Sequence, residues 1–428
     1  MNRFALAVYA VLIILVSAVY LPMLYDKMFM DEVEKTHLFY SPVSRDFILT
    51  EKIMGKVPQS ARGMAEDHHN NLAYIKADGT YVPRKTFEQH LPFIFYKNME
   101  IWGLLPITLD GRTFDKHAIK ADRRVLELNA RDLPGRSPEV PFFPLLESNP
   151  GQARLVFPED RFRMTDTAME FINADTNALD TVLTRMYTVT LKKKGFKFPA
   201  RSVNGKFTVL KPFDEGVFIV DHDYRVFHIK RVDDKPLIKQ TPISPNLKIR
   251  AIKVSENEQK KHYGLALAED GRIFLLGYDN YRLTPIPLMT GYDPDRMDVK
   301  LIFNPFYCTA VYSDETTIRA VAMDKNFAPV KTFEHTMSRA TVTTATRIRD
   351  MLFPFILKIG PTQQSGYVIT RLLPGSIGSL VGMGLCTLLF VAGTKIMTGA
   401  APRTMGIITV ALTGLYGLIA MITARACD

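Results

Sequence analysis

Two short runs of this chain place histidines beside carboxylates, the residue types that ligate a transition metal. His68-His69 follows Glu66-Asp67, and Asp221-His222-Asp223 is followed by His228. In the second run, the alternation of a strand sends His222 and His228 to one face and the two aspartates to the other. The plainer reading of both runs is a solvated polar loop. A third string, Gly375-Ser376-Ile377-Gly378, has a trace of a serine nucleophile turn. It stands at the start of an apolar helix, where glycine and serine serve packing. There is no His-Glu-x-x-His, no Gly-x-x-x-x-Gly-Lys-Ser/Thr and no Cys-x-x-Cys. No catalytic residue, cofactor or metal is therefore assigned. Of the 3 cysteines, Cys386 and Cys427 lie in or beside the last apolar stretches. Cys308 is left alone in the polar body, so no disulfide forms within it.

The elements that hold these residues are announced by hydropathy. Phe4 to Tyr25 carries no charge, and two further apolar stretches, Leu372–Met397 and Met405–Ala424, are split by TGAAPRT. An α-helix needs roughly 20 apolar residues to cross the ~30 Å hydrocarbon core, at ~1.5 Å per residue. The expectation is three spans. The first run is longer than the apolar core of a signal peptide, about 7–15 residues, and ends in Tyr20-Leu21-Pro22, which reads as an uncleaved anchor. Arg3, Lys395 and Arg403 place both short flanks in the cytoplasm and the polar domain outside it, while Lys27, Arg371 and Arg425 weigh the other way. Tyr20, Tyr25 and Phe29 suit an interfacial belt. Gly375, Gly378, Gly382 and Gly384 cluster in one helix, and Gly406, Gly414 and Gly417 in the next. Small residues let backbones approach where lipid gives no hydrophobic drive, so Gly378, Gly382, Gly414 and Gly417 are the helix-packing candidates. They serve either the hairpin itself or a docking partner. Neither span has an ionisable residue at its centre, which argues against an ion pathway formed by this chain alone.

The 428 residues carry a formal charge of +10, but the basic residues are scattered (Arg123-Arg124, Lys192-Lys193-Lys194, Lys260-Lys261). That is a solvated surface next to membrane lipid and not a nucleic-acid footprint. Between the anchors, the expectation is a helix near Asp26–Leu38, a turn or extended segment at Phe39–Val43, and a type I′ hairpin at Leu72–Val82 around Asp78-Gly79. A Pro92-kinked helix over Arg84–Trp102 follows, then a helix over Thr113–Asn129 and an irregular Leu133–Pro150. From Arg154 the runs ARLVFP, RFRMTD and MEFINADTN read as strands, with a helix over Asp180–Lys194. A unit then recurs: Gly216–Lys230, Tyr263–Leu276 and Thr309–Met323 are each strand, acidic turn, strand. A third strand follows each, ending near Ile243, Ile286 and Val330. The turns at Asp223, Asp270 and Glu315 recur at about 45 residues, in the range of four-stranded propeller blades. Unrelated β-meanders in one β-rich domain are the other reading. Strands Phe353–Ile359 and Gly366–Leu372 end the polar region and tie it to the membrane at both ends. Trp102 is the sole tryptophan, and the many Phe and Tyr are core material.

Phe39-Tyr40-Ser41-Pro42-Val43, Leu91-Pro92-Phe93, Phe171-Ile172-Asn173-Ala174, Gly195-Phe196-Lys197-Phe198-Pro199-Ala200, Lys211-Pro212-Phe213-Asp214-Glu215-Gly216 and Leu352-Phe353-Pro354-Phe355 stand in this order. In these strings the chain resembles an uncharacterised bacterial membrane-protein family, the domain of unknown function numbered four-eight-five-seven. The resemblance brings no catalytic residues. It implies terminal membrane helices and an accessory role beside ABC-transporter ATPase and permease subunits, near which such proteins are often encoded.

The expected fold is membrane-anchored, β-rich α+β: an anchor over 1–25, a mixed helical and hairpin region over 26–150, a propeller-like region over 151–371 and a transmembrane helical hairpin over 372–428. The expected function is a non-catalytic extracytoplasmic accessory subunit of an ABC-type transport complex in the inner membrane. The alternative is a membrane-anchored extracytoplasmic enzyme or metal-binding domain built on His68, His69, His222 and His228.

Overall fold

The apolar run from Phe4 to Tyr25 lies within the 27-residue first helix, α1 (Arg3–Phe29), of a computed structural model that describes residues 3–30, 35–54, 58–61, 72–136, 140–361 and 367–426. His68, His69 and Cys427 lie outside the described residues. Of the helix expected at Asp26–Leu38, Asp26–Phe29 end α1, residues 31–34 lie outside the described residues, and His37 opens strand β1 (His37–Ser41), which turns through Pro42 into β2 (Asp46–Lys52). Ser41 makes that turn by accepting through Oγ from the amides of Val43 and Ser44. Next comes β3 (Leu72–Lys76), whose sheet order is β1-β2-β3. The turn after β3 is not type I′: Gly79 alone takes positive φ, and Asp78 accepts from Thr80 N through its carboxylate. Ile75 and Tyr81 bridge across it, flanked by Lys76 N donating to Thr80 O and Val82 N donating to Tyr74 O.

Pro92 divides α2 (Arg84–His90) from α3 (Tyr96–Ile101). The expected helix over Thr113–Asn129 is corrected to several pieces. After β4 (Ile107–Leu109) come β5 (Arg112–Phe114), α4 (Lys116–Asp122) and β6 (Arg124–Leu128). Asp115 caps α4 by accepting from Ala118 N, and the alternation of buried Leu126 and Leu128 with exposed neighbours then imposes a strand. Arg154–Pro158 forms no strand. Strands β7 (Asp160–Met164), β8 (Met169–Asn173) and β9 (Ala178–Asp180) form a meander, and Asp180 caps α5 (Thr181–Lys193) through Leu183 N.

Three four-stranded antiparallel meanders follow. The first is β10 (Ser202–Gly205), β11 (Val217–Val220), β12 (Val226–Val232) and β13 (Lys235–Gln240). The second is β14 (Ile249–Val254), β15 (His262–Ala268), β16 (Ile273–Gly277) and β17 (Leu283–Pro285). The third is β18 (Asp298–Phe303), β19 (Cys308–Ser313), β20 (Thr317–Met323) and β21 (Pro329–Thr336), with β6 added beside β18. The recurring hairpins are the middle strands of these sheets. Each lacked its leading strand in the sequence reading, and β21 begins at Pro329 where a strand end was expected. At each tip an aspartate holds the turn, accepting from nearby amides and pairing with an arginine: Asp221 with Arg225, Asp270 with Arg272 and Asp314 with Arg319.

The sheets stack in chain order. Phe162 and Phe171 of β7–β8 and Tyr187 and Leu191 of α5 bury one face of the β10–β13 sheet, at Ile219, Phe227 and Ile229. Its other face, at Phe218, Val220 and Val226, meets Ile252, Ala266 and Phe274 of the next sheet. That sheet's far face, Leu265, Leu267 and Leu275, meets Leu301, Ala310 and Val321 of the third. Successive strand residues face opposite sides, so a strand buried on both faces reads as continuous hydrophobic sequence, as VFIV does in β11. The unit is β-rich α+β. No closed ring of sheets is found among the described residues. One unit comprises Thr36–Glu51 and Gln59–Met337, and within it β6 pairs with β18.

The other unit comprises Met1–Lys35, Lys52–Pro58 and Ser338–Asp428. Beyond α1 it contains α6 (Thr344–Leu352), the hairpin β22 (Phe355–Pro361) with β23 (Val368–Pro374), α7 (Gly378–Thr398), α8 (Thr404–Thr413) and α9 (Leu415–Ala426). Helices α1 and α7 are long and apolar enough to cross a membrane. The stretch Met405–Ala424 is not: it breaks at Gly414, which takes φ 55° and ψ −126°. The chain reverses there, bringing Gly417 onto Thr409 and Val410 and Met421 onto Gly406. At ~1.5 Å per residue, neither short helix spans ~30 Å of lipid. The expected third span is therefore corrected to a folded-back pair.

Candidate functional site

The densest chemistry lies between the β10–β13 and β14–β17 sheets. The segment joining β10 to β11 carries Lys211, whose side chain is 1% exposed. An ammonium has three donors, and Lys211 uses all of them: Asp214 Oδ1 at 2.6 Å, Glu256 Oε1 at 2.7 Å and Lys206 O at 2.9 Å. Asp214 Oδ2 accepts from Ser148 Oγ and Gly216 N. Glu256 Oε1 also accepts from Glu215 N, while Oε2 is buried without a partner. Burial pushes the Glu256 carboxyl up, against the pull of Lys211. Glu215 pairs its own carboxylate with Lys230.

His228 closes the network. Its Nε2 faces Glu215 O at 2.5 Å and its Nδ1 faces Tyr281 Oη at 3.0 Å. A carbonyl only accepts, so Nε2 carries the hydrogen and Nδ1 takes the Tyr281 proton donor. The ring stacks on Phe218 at 4.3 Å, with Tyr263 and Tyr281 edge-on. Burial holds the imidazole neutral, pushing its pKa down to about 4. Burial likewise raises the phenols of Tyr263, Tyr278 and Tyr281. Both His228 nitrogens are engaged, so the ring has no lone pair for a metal.

The two histidines expected on one face are not together: His222 lies in the turn before β12, with its side chain 57% exposed, and pairs with Asp223 at 3.2 Å. Asp223 is also held by Lys197 at 2.6 Å, and Asp221 is buried against Arg225. Turn geometry breaks the strict alternation at the hairpin tip. Among the described residues no group of three or more His, Cys, Asp or Glu side chains could hold a metal ion. Ser376 leads into α7, where its carbonyl accepts from Ser379 Oγ at 2.7 Å. Cys308 is buried, and burial pushes its thiol up to about 12.

The glycines face other parts of their own unit. A side chain at Gly382 would place Cβ 1.7 Å from the Met351 carbonyl oxygen at the end of α6, so only glycine fits. Gly378 lies beside Asp350, Gly414 beside Met383 and Pro354, and Gly417 on Thr409. A partner helix has no room at Gly382. Gly384, two residues on, is open, with nothing within 4 Å of its Cβ position. Nearby, Tyr416 Oη donates to Phe355 O at 2.7 Å, and Arg349 pairs with Asp26 at 2.8 Å.

The sequence reading missed the Lys211 network, although its motif Lys211-Pro212-Phe213-Asp214-Glu215-Gly216 stood among the strings that carried the resemblance. A family model described as "Domain of unknown function (DUF4857)" matches residues 37–323, from β1 to the end of β20. The chain belongs to this family. The matched DUF4857 region contains the whole Lys211–Glu256–His228 network and excludes α1 and everything after β20. No curated protein matches. A solved structure of a Bacteroides fragilis protein described as exported is similar at 9% identity, covering 69% of this chain and 92% of its own, with a TM-score of 0.16.

Proposed function

We propose that this DUF4857 protein is a non-catalytic accessory subunit of an ABC-type transport complex, held in the inner membrane by α1 and α7 with its β-rich unit outside the cytoplasm. The observation that carries the membrane part is the outward apolar surface of these helices. Val11, Leu12, Leu15, Leu24, Leu385 and Leu388 are exposed, the last at 68%. Apolar surface left in water costs roughly 25 cal/mol per Å², and a bilayer removes that cost. The saturated hydrogen bonding of Lys211 and His228 supports a non-catalytic role. The transport partner rests on the family resemblance. Blade-like closure of the stacked sheets belongs to the same proposal.

The test is affinity purification of the full chain from native membranes in mild detergent. The expected result is recovery of a permease or ATPase subunit, lost in Gly384→Leu/Ala392→Leu. Those residues occupy the exposed side of α7, so the variant leaves internal packing intact. Recovery of neither subunit contradicts the proposal. The alternative of a ligand-binding extracytoplasmic domain is favoured by one observation, a cation cluster around Arg124.

A further inference from the structure

Arg124 opens β6 opposite Phe303 of β18, and its guanidinium lies over the Phe303 ring at 4.0 Å. Its Nη2 donates to His262 Nδ1 at 2.9 Å, and its Nε is buried without an acceptor. No carboxylate lies within ion-pairing distance of Arg124 among the described residues. Arginine cannot accept, so Nδ1 of His262 holds the lone pair and the hydrogen sits on Nε2. Lys325 is a second cation here; its Nζ donates to Asn304 O at 2.8 Å. Asp122 is the one nearby carboxylate among the described residues, and Lys261 occupies it at 2.6 Å. Arg124, Lys261 and Lys325 thus share a single negative charge.

The electrostatics agree with that count. Burial lowers Lys325 and outweighs the opposing pull of Asp122, while Lys261 and Arg124 lower it further. Burial, then Arg124 and Lys261, push His262 down to about 3. Burial pushes Arg124 down as well. A half-buried guanidinium without an anion is costly, whereas charge-assisted bonds to an oxyanion are strong. We propose that Arg124 and Lys325 bind a small oxyanion of the phosphate class at the edge of the β6–β18 sheet. Both contribute charge, and neutral His262 holds the guanidinium in place by accepting from its Nη2. The inference rests on this unit alone and not on the transport proposal.

The test is calorimetric titration of the detergent-solubilised full chain with inorganic phosphate and, separately, with a short-chain phosphatidic acid. Phosphate binding in the parent is expected to weaken by about tenfold or more in Arg124→Gln and in Lys325→Gln. Lys325 lies in the turn after β20, outside the sheet, so K325Q decides the matter if R124Q fails to fold. Equal binding of both ligands assigns the phosphate group as the recognised chemistry, and preference for the lipid assigns a headgroup as the source. An absence of phosphate and lipid binding in the parent, or binding unchanged in K325Q, overturns the site.

Discussion

Replacing Lys211 with methionine tests whether the buried network holds neighbouring sheets together. Met fills similar volume but removes the charge, leaving Asp214 and Glu256, at 3% and 0% side-chain exposure, without their shared cation. Breaking a buried pair by deleting one partner costs about 3–5 kcal/mol, because the remaining charge stays desolvated. At ~2–4 °C per kcal/mol for a domain of this size, the melting point should fall by roughly 10 °C. Adding Glu256→Gln should recover part of the loss. It removes one stranded charge and keeps an oxygen to accept from Glu215 N. The pH dependence follows from Glu256, whose folded carboxyl is raised above 4.5. A raised acid contributes stability below its unfolded value and loses it as pH rises through the folded value. Lys211 opposes that rise, so removing it raises the carboxyl further, and the K211M deficit should shrink at low pH, where the acid is protonated, and grow as pH rises. Thermal unfolding of the full chain in detergent, followed by near-ultraviolet dichroism, reads both effects. A K211M variant that melts with the parent at every pH refutes the argument.

His228, held down to about 4 from 6.5, should stay neutral well below its ordinary range. As the unfolded chain protonates first, this group costs ~3 kcal/mol of stability as pH falls from 6.5 to 4, at ~1.4 kcal/mol per pH unit. Its ring resonances should not titrate above about pH 5, and a midpoint near 6.5 would refute the closed aromatic site. Gly382→Leu should destabilise the helical unit by about 1–3 kcal/mol or prevent its assembly, since Met351 O occupies the Cβ position. Gly384→Leu should leave the melting profile unchanged, and equal effects of the two would show that α6 does not pack there.

Much of the β architecture was legible because aspartate has a local job. Asp221, Asp270 and Asp314 each hold a hairpin tip, so acidic residues mark the turns at a near-constant period. The leading strands were harder to see. The strand β10, Ser-Val-Asn-Gly, lacks an apolar run, because Asn204 bonds Ile252 N of the next sheet and Phe218 O of its own. Only the assembled sheets show that contact. The Lys211 motif reads locally as a charged loop, since its burial depends on Glu256, 45 residues along the chain and just after β14 of the next sheet. Hydropathy marked Met405–Ala424 as one span because it counts apolar length and not backbone reversal. Gly414 supplies the reversal, and a single glycine among apolar residues does not announce it.

Alkaline carbonate extraction of native membranes addresses the central claim most directly. A chain held by α1 and α7 stays in the membrane pellet after the wash, while peripheral proteins leave. The account predicts retention of the full chain, and its release into the soluble fraction would contradict it.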